Sequence, residues 1–243
     1  MQRTRGKLVI VGMGYRPGHL TIESLAWLRA ADRVFYLLDN PVLEEAIRSL
    51  SHESESLRPL YDERRRRAAM FDEMVDRTMT AVRSGLRTCI AFSGHPGVLI
   101  KVARQVFQRA HAEGYPVQML PGVSIKDCLI ADLVNGFDNA ASYEAHRFLS
   151  QCQHITTSTA LIIWQAGRMI DLHDRRNPAA KPWLSMVADK LSDHYPHTHE
   201  VVLYEPARHI GCRPHERRCV LGELSRQRIS VNTTLFVPAV PRV

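Results

Sequence analysis

The chain has 243 residues, 45% of them hydrophobic, with 13 glycines and 13 prolines; this suits one large domain or two small lobes and excludes low-complexity and repeat architectures. The formal net charge of +7 admits a nucleic-acid partner, but the basic residues are scattered apart from Arg64–Arg67, Arg175–Arg176 and Arg217–Arg218, and no aromatics interleave with them for base stacking. A solvated face or an acidic partner accounts for the charge equally well. No window nears the roughly 18 apolar residues of a membrane span, and Cys89, Cys128, Cys152, Cys212 and Cys219 form no CxxC pair, as expected of reduced thiols in the cytoplasm.

The first half alternates short apolar runs with helical periods, as parallel α/β units do. Leu8–Val11 reads as a buried strand, Thr21 as the cap of a helix to about Ala31, and Val34–Leu38 as a second strand. Phe71, Met74, Val75, Met79 and Val82 repeat at a helical period. Gly85 ends that helix and Thr88–Phe92 is the third strand. Val98 to about Glu113 reads as a helix capped by Gly114, and Val117–Leu120 as a strand. Ser124 opens the next helix, with Asp127 three residues on, a capping-box spacing. After a polar stretch around Cys152–Thr159, Ala160–Trp164, Val201–Tyr204 and Thr233–Val237 read as strands, with a helix from Pro182 between the first two. The expected lobes are residues 1–145 and 146–243.

Gly12-Met13-Gly14 follows the first strand, with Gly18 four residues later. A nicotinamide-dinucleotide loop has the same strand–GxG–helix order, and Asp39 stands roughly where a ribose-binding acid would. The third glycine is one position late for GxGxxG, and Pro17 interrupts the turn. Ser93-Gly94-His95-Pro96-Gly97-Val98 follows the third strand, where open parallel sheets place their ligand crevice. Leu120-Pro121-Gly122-Val123-Ser124 repeats that arrangement, with Ser124 suited to capping its helix or meeting a ligand. His194, His197, His199 and Glu200 match no familiar metal spacing. No GxSxG elbow or phosphate loop of the Walker type is present.

Taken together, VGMGYRPGHLT, SGHPGV and MLPGVS resemble the tetrapyrrole-methylase superfamily, in which a GxG strand end, a GDP-like loop and a PG(V/I)S turn occur in that order. The resemblance implies a two-lobed α/β fold with S-adenosylmethionine between the lobes, and a homodimer. GHPGV with EGYPVQMLPGVSIKDCLIADL, YEAHRFL, LIIWQAG and TTLFVP is similar to the borosin peptide-backbone N-methyltransferases. Because the chain ends at VPAVPRV, it resembles the split kind, which acts on a separate precursor peptide. Methylation of a tetrapyrrole or another small molecule is the second expectation, and a non-catalytic relative that binds adenosylmethionine or peptide the third.

By position, the resemblance implies a cofactor pocket of Ser93, His95, Val98, Ser124, Gln165, Thr233 and Thr234, and no metal. Adenosylmethionine has no phosphates, so short hydrogen-bonding side chains and close backbone suit it better than a phosphate cradle. Tyr61 and Arg67 align with the family's catalytic tyrosine and arginine. An amide nitrogen is a poor nucleophile because its lone pair is delocalised into the carbonyl. Methylating it needs a base for the proton and a cation or hydroxyl for the developing imidate oxygen. Arg58, Phe71 and Ser93 stand where peptide-modifying members carry tyrosine.

Overall fold

The computed structural model describes residues 6–62, 65–133, 140–167 and 183–240. Arg64, the Arg175–Arg176 pair and Pro182 lie outside these segments. The chain forms two compact units: Met1–Cys128 with Ala207–Cys212, and Leu129–Pro206 with Arg213–Val243.

In the first unit, five parallel strands run in the order β3-β2-β4-β1-β5. They are β1 (Lys7–Gly12), β2 (Arg33–Leu37), β3 (Ser54–Ser56), β4 (Arg87–Phe92) and β5 (Val117–Met119). Alternation along β1 explains the layering, because successive side chains leave a strand on opposite faces. Val9 and Val11 pack with Leu28 of α1 (Ile22–Ala30) and with Leu43 and Ile47 of α2 (Pro41–Leu50). Leu8 and Ile10 pack with Met74, Met79 and Val82 of α3 (Arg67–Arg83) and with Val102 and Val106 of α4 (Lys101–Ala112). Both faces of the inner strands are therefore buried, and β1 and β4 carry uninterrupted apolar runs at Leu8–Val11 and Cys89–Phe92, as buried parallel strands require.

The caps follow the sequence where its chemistry is local. Thr21 accepts a hydrogen bond from the Ser24 amide at 3.1 Å, and Asn40 accepts from the Val42 amide at 3.0 Å ahead of Pro41. Gly85 and Gly114 take positive φ angles of 94° and 76° just past α3 and α4. The start of α4 differs from the expectation at Val98. Residues 95–98 form a turn closed by the Val98 amide on the His95 carbonyl, and Leu99 has a φ of 61°, outside the helical region. The helix begins only at Lys101.

In the second unit the order is β6-β7-β10-β8-β9. These are β6 (Ala141–Glu144), β7 (Leu161–Trp164), β8 (Glu200–Glu205), β9 (His215–Val220) and β10 (Thr234–Val237). Only β6 and β7 are parallel. The helix α5 (Ile125–Leu133) carries the division at Cys128, ahead of the boundary read from composition. Strand β6, four residues reading ASYE, is too short and polar to announce itself, yet it pairs with β7 and so belongs to the second sheet. One face of this sheet packs Ile163, Val201, Leu203 and Leu235 against Phe148 of α6 (Ala145–Gln151) and Trp183 and Val187 of α7 (Trp183–Ser192). Lys190 on α7 donates to the carbonyls of Phe148 (2.7 Å) and Leu149 (3.3 Å), so a cation satisfies the end of α6. No described helix is long and apolar enough to cross a membrane.

Candidate functional site

Three glycine loops meet at the carboxyl ends of β1, β4 and β5. Gly14, with φ 63°, exchanges two backbone hydrogen bonds with Gly94, with φ 74° (Gly94 amide to Gly14 carbonyl 2.8 Å; the reverse 3.3 Å). A Cβ on Gly12 would stand 2.6 Å from the Gly94 carbonyl oxygen, and one on Gly122 would stand 2.9 Å from the Gly12 Cα. Side chains are excluded there by backbone, which is why these residue types recur at the three strand ends. Gly18 has nothing within 4 Å of where a Cβ would be, so it has no part in the packing.

Around this glycine contact the expected cofactor residues of the first unit are fixed by their own partners. The Ser93 hydroxyl donates to Asp39 Oδ1 at 2.7 Å and accepts from the Asp39 amide at 3.3 Å. The His95 Nδ1 accepts from the Gly97 amide at 2.9 Å, which leaves Nε2 as the protonated nitrogen of the neutral ring. Val98 is half-buried on the same loop. Ser124, only 6% exposed, makes the full capping box: its amide donates to Asp127 Oδ2 (2.7 Å) and its Oγ accepts from the Asp127 amide (3.2 Å). Its hydroxyl proton also goes to Asp127 Oδ2, at 2.7 Å.

The other three expected cofactor residues lie in the second unit. Gln165 follows β7 with a φ of 57°, an uncommon conformation for a side-chain-bearing residue. The register Leu235↔Ile163 brings Gln165 and Thr233 to the same end of the β7–β10 pair. Thr233 and Thr234 are buried. Thr233 Oγ1 donates to Glu205 Oε1 at 2.7 Å and accepts from the Ser230 amide at 3.0 Å, while the Ser230 hydroxyl reaches the same carboxylate oxygen at 2.6 Å. Ser93, Ser124 and Thr233 thus share one arrangement: each spends its single hydroxyl proton on a carboxylate. What remains to face a ligand is oxygen lone pair.

Tyr61 follows a helical turn at Arg58–Leu60 and is 39% exposed, its ring edge-on to Phe71 at 6.3 Å. Arg67 is the exposed first residue of α3 and lies one helical turn before Phe71. Residues four apart share a helix face, so Phe71 gathers Tyr61 and Arg67 on one side of the start of α3. That start has no side-chain cap and no acidic residue in its first turn. Arginines there oppose the helix dipole, by roughly 0.3–1 kcal/mol each. Arg65 is paired with Glu73 at 2.7 Å. Among the described residues, no group of three or more His, Cys, Asp or Glu side chains is placed to hold a metal. In the histidine-rich stretch, His199 Nε2 lies 2.9 Å from the Pro238 carbonyl.

Residues 7–225 match the family of tetrapyrrole (corrin/porphyrin) methylases. The chain belongs to that family. It is 29% identical over 99% of its length to the methyltransferase and cyclic-peptide dendrothelin A precursor of Dendrothele bispora. It is 31% identical over 98% of its length to the gymnopeptides precursor of Gymnopus fusipes, and 34% identical over 82% to a type II borosin precursor of Phlebiopsis gigantea. Each of these relatives is named as a methyltransferase and a peptide precursor together. The chain spans 60%, 58% and 36% of their respective lengths. The fold is that of cobalt precorrin-4 methyltransferase (TM-score 0.68, 13% identity, 98% of this chain and 97% of that one). Uroporphyrin-III C-methyltransferase of Thermus thermophilus, solved in complex with S-adenosylhomocysteine, superposes with a TM-score of 0.63 at 14% identity over 96% of this chain and 92% of that one.

Sequence reasoning found Asp127 behind Ser124 but missed the carboxylates behind Ser93 and Thr233 and the arginine beside Asp39. Asp39 was weighed only as a ribose acid for a dinucleotide, and Glu205 and Arg208 carried no signal, because their partners are far away in sequence. The helix α2 also went unread, although Asn40-Pro41 carries a signal for its start, since asparagine caps and proline suits the first helical position.

Proposed function

We propose that the chain transfers a methyl group from S-adenosylmethionine to backbone amide nitrogens of a precursor peptide. The observation that carries the cofactor half is the side-chain-free glycine junction of the first unit, with Ser93, His95, Val98 and Ser124 on the loops that form it; Gln165, Thr233 and Thr234 are assigned to the same cofactor by the family resemblance alone. Hydroxyls reduced to acceptors suit a ligand rich in N–H and O–H donors, and His95, whose Nδ1 accepts from the Gly97 amide, offers its Nε2–H in return. Adenosylmethionine, with its ammonium, exocyclic amine and ribose hydroxyls, fits these loops. When bound, it supplies an electrophilic methyl group on a sulfonium.

The acceptor half rests on the resemblance to the fungal methyltransferase–precursor proteins and on Tyr61 and Arg67. Arg67, a cation kept at the positive end of α3, is set to stabilise the imidate oxygen as the amide loses its proton. Tyr61, exposed beside Phe71, is set to act on that N–H proton, as a base or through a water. A small-molecule acceptor such as a tetrapyrrole is the second reading, favoured by the arginines at the start of α3, which suit substrate carboxylates. Assembly as a homodimer belongs to the same proposal and is read by sedimentation.

The deciding experiment incubates the protein with adenosylmethionine and synthetic precursor peptides and reads intact masses of peptide and protein. Added methyl groups on the peptide backbone support the proposal, and their presence on the protein itself shows the acceptor to be part of the same chain. Methylation of a tetrapyrrole with none on peptide favours the second reading. Calorimetric heat with NAD and none with adenosylmethionine removes both.

A further inference from the structure

The hydroxyl of Ser93 owes its direction to a chain of contacts that ends far away in sequence. Asp39 Oδ1 takes its proton at 2.7 Å. The other carboxylate oxygen accepts from Arg208 Nη2 at 3.0 Å, and Arg208 Nη1 donates to the Asp39 carbonyl, also at 3.0 Å. This two-point grip uses the planar guanidinium fork, which an ammonium lacks. Arg208 is held in turn by its own backbone: its carbonyl accepts from Asn40 Nδ2 at 3.0 Å, and the same nitrogen donates to the Tyr15 carbonyl at 3.1 Å. Asn40 is 3% exposed, and its Oδ1 caps α2, so every polar atom of its amide is used. Arg208 belongs to Ala207–Cys212, the one stretch of the second half that groups with the first unit.

We propose that Asp39 and Arg208 are positioning residues for cofactor binding: Arg208 fixes the Asp39 carboxylate, and Asp39 turns the Ser93 proton inward, so that Ser93 meets the cofactor only as an acceptor. This rests on the adenosylmethionine reading above. A carboxylate suits the task because both its oxygens accept, one from serine and one from arginine. An amide at position 39 has one acceptor and one donor. It turns its NH2 either toward Arg208, donor against donor, or toward Ser93, whose proton then points outward at the ligand's own donors. A purely structural tether has no such directional consequence.

The test is calorimetry with S-adenosylmethionine on the wild type, Ser93→Ala, Asp39→Asn, Arg208→Lys, Arg208→Gln and the double variant Ser93→Ala/Asp39→Asn, with a melting temperature for each. Ser93→Ala should weaken binding by about threefold to tenfold, the loss of one net hydrogen bond. Asp39→Asn should weaken it at least as much, Arg208→Gln likewise, and Arg208→Lys less. The double variant should bind no worse than Ser93→Ala alone, because an outward proton is harmless once the hydroxyl is gone. Independent losses that multiply in the double variant, or an Asp39→Asn affinity within about twofold of wild type, overturn the positioning role. If Asp39→Asn does not fold, Arg208→Gln paired with Ser93→Ala carries the same comparison. Wild-type protein that takes up no adenosylmethionine overturns the cofactor reading and this one with it; wild-type binding with unmoved variants overturns this one alone.

Discussion

Replacing Gly12 by alanine tests whether the three strand-end loops are held by backbone contact. The added methyl would sit 2.6 Å from the Gly94 carbonyl oxygen, 2.8 Å from Pro96 Cδ and 3.1 Å from the Gly122 Cα. The first and last of these are backbone atoms, and the Gly94 loop is further tied to Gly14 by two hydrogen bonds, so no flexible side chain can yield. Forcing an extra methyl into such packing costs about 1–3 kcal/mol. For a chain of this size each kcal/mol lowers the melting temperature by about 2–4 °C, so a fall of about 2–12 °C is expected from a thermal melt. Gly18→Ala is the internal control, because nothing lies within 4 Å of its Cβ position; it should stay within roughly 0.5 kcal/mol of the parent, as uninvolved surface substitutions do. Gly14→Ala should be at least as damaging as Gly12→Ala, since φ of 63° is disfavoured for alanine and the methyl would meet the His19 Cβ at 2.2 Å. An unchanged melt for Gly12→Ala, or an equal fall for Gly18→Ala, would refute this account of the first loop.

Tyr61→Phe and Arg67→Ala should each slow methyl transfer on the order of a hundredfold while leaving cofactor affinity nearly unchanged. Equal effects from Arg65→Ala and Arg66→Ala that fade with salt would instead make the arginines an electrostatic docking patch. Native thiol labelling followed by mass spectrometry should modify exposed Cys212 first and Cys89 last, because burial pushes the Cys89 thiol up to about 12; comparable rates at the two would contradict the packing of β4. The side-chain and backbone hydrogen bonds from Arg87 hold the Asp32 carboxyl below its ordinary value. A lowered folded value gives stability that is present above the ordinary carboxylate range and lost as pH falls. The melting-temperature gap between wild type and Asp32→Asn should therefore be constant near neutrality and close below about pH 4; a gap that widens in acid would reverse the assignment.

Much of the fold was legible because its signals are local. The helical period from Phe71 to Val82, the Ser124–Asp127 box and the apolar strand at Leu8–Val11 each need only their own neighbours, and each stands where expected. The elements that escaped notice have no such signature. Strand β3 is three polar residues held by pairing with β2, and β9 reads HERRCV with nearly every residue exposed. The site divides in the same way. The glycine loops and the Ser124–Asp127 pair could be read from local order, but the carboxylate partners of Ser93 and Thr233 could not, since Asp39 and Glu205 are 54 and 28 positions away and Arg208 stands 169 positions from Asp39. The left-handed Leu99 that delays α4 was also invisible, because leucine ordinarily favours the helix it interrupts.

The order of strands in the two sheets also bears on how the chain avoids sticking to its neighbours in a crowded cell. In the first sheet the long strands β1 and β4 are inside, and each outer position is taken by a strand of three residues. A foreign strand arriving there finds too few unpaired backbone groups to add itself in register. The second sheet ends on one side in the four-residue β6 and on the other in β9, whose Glu216, Arg217 and Arg218 are exposed. Arg218 is paired with Glu200 of β8 at 2.8 Å, so the middle of this border, Glu216–Arg218, is charged. Charge and brevity guard the open borders of both sheets, and the apolar strands that would template aggregation are kept away from them.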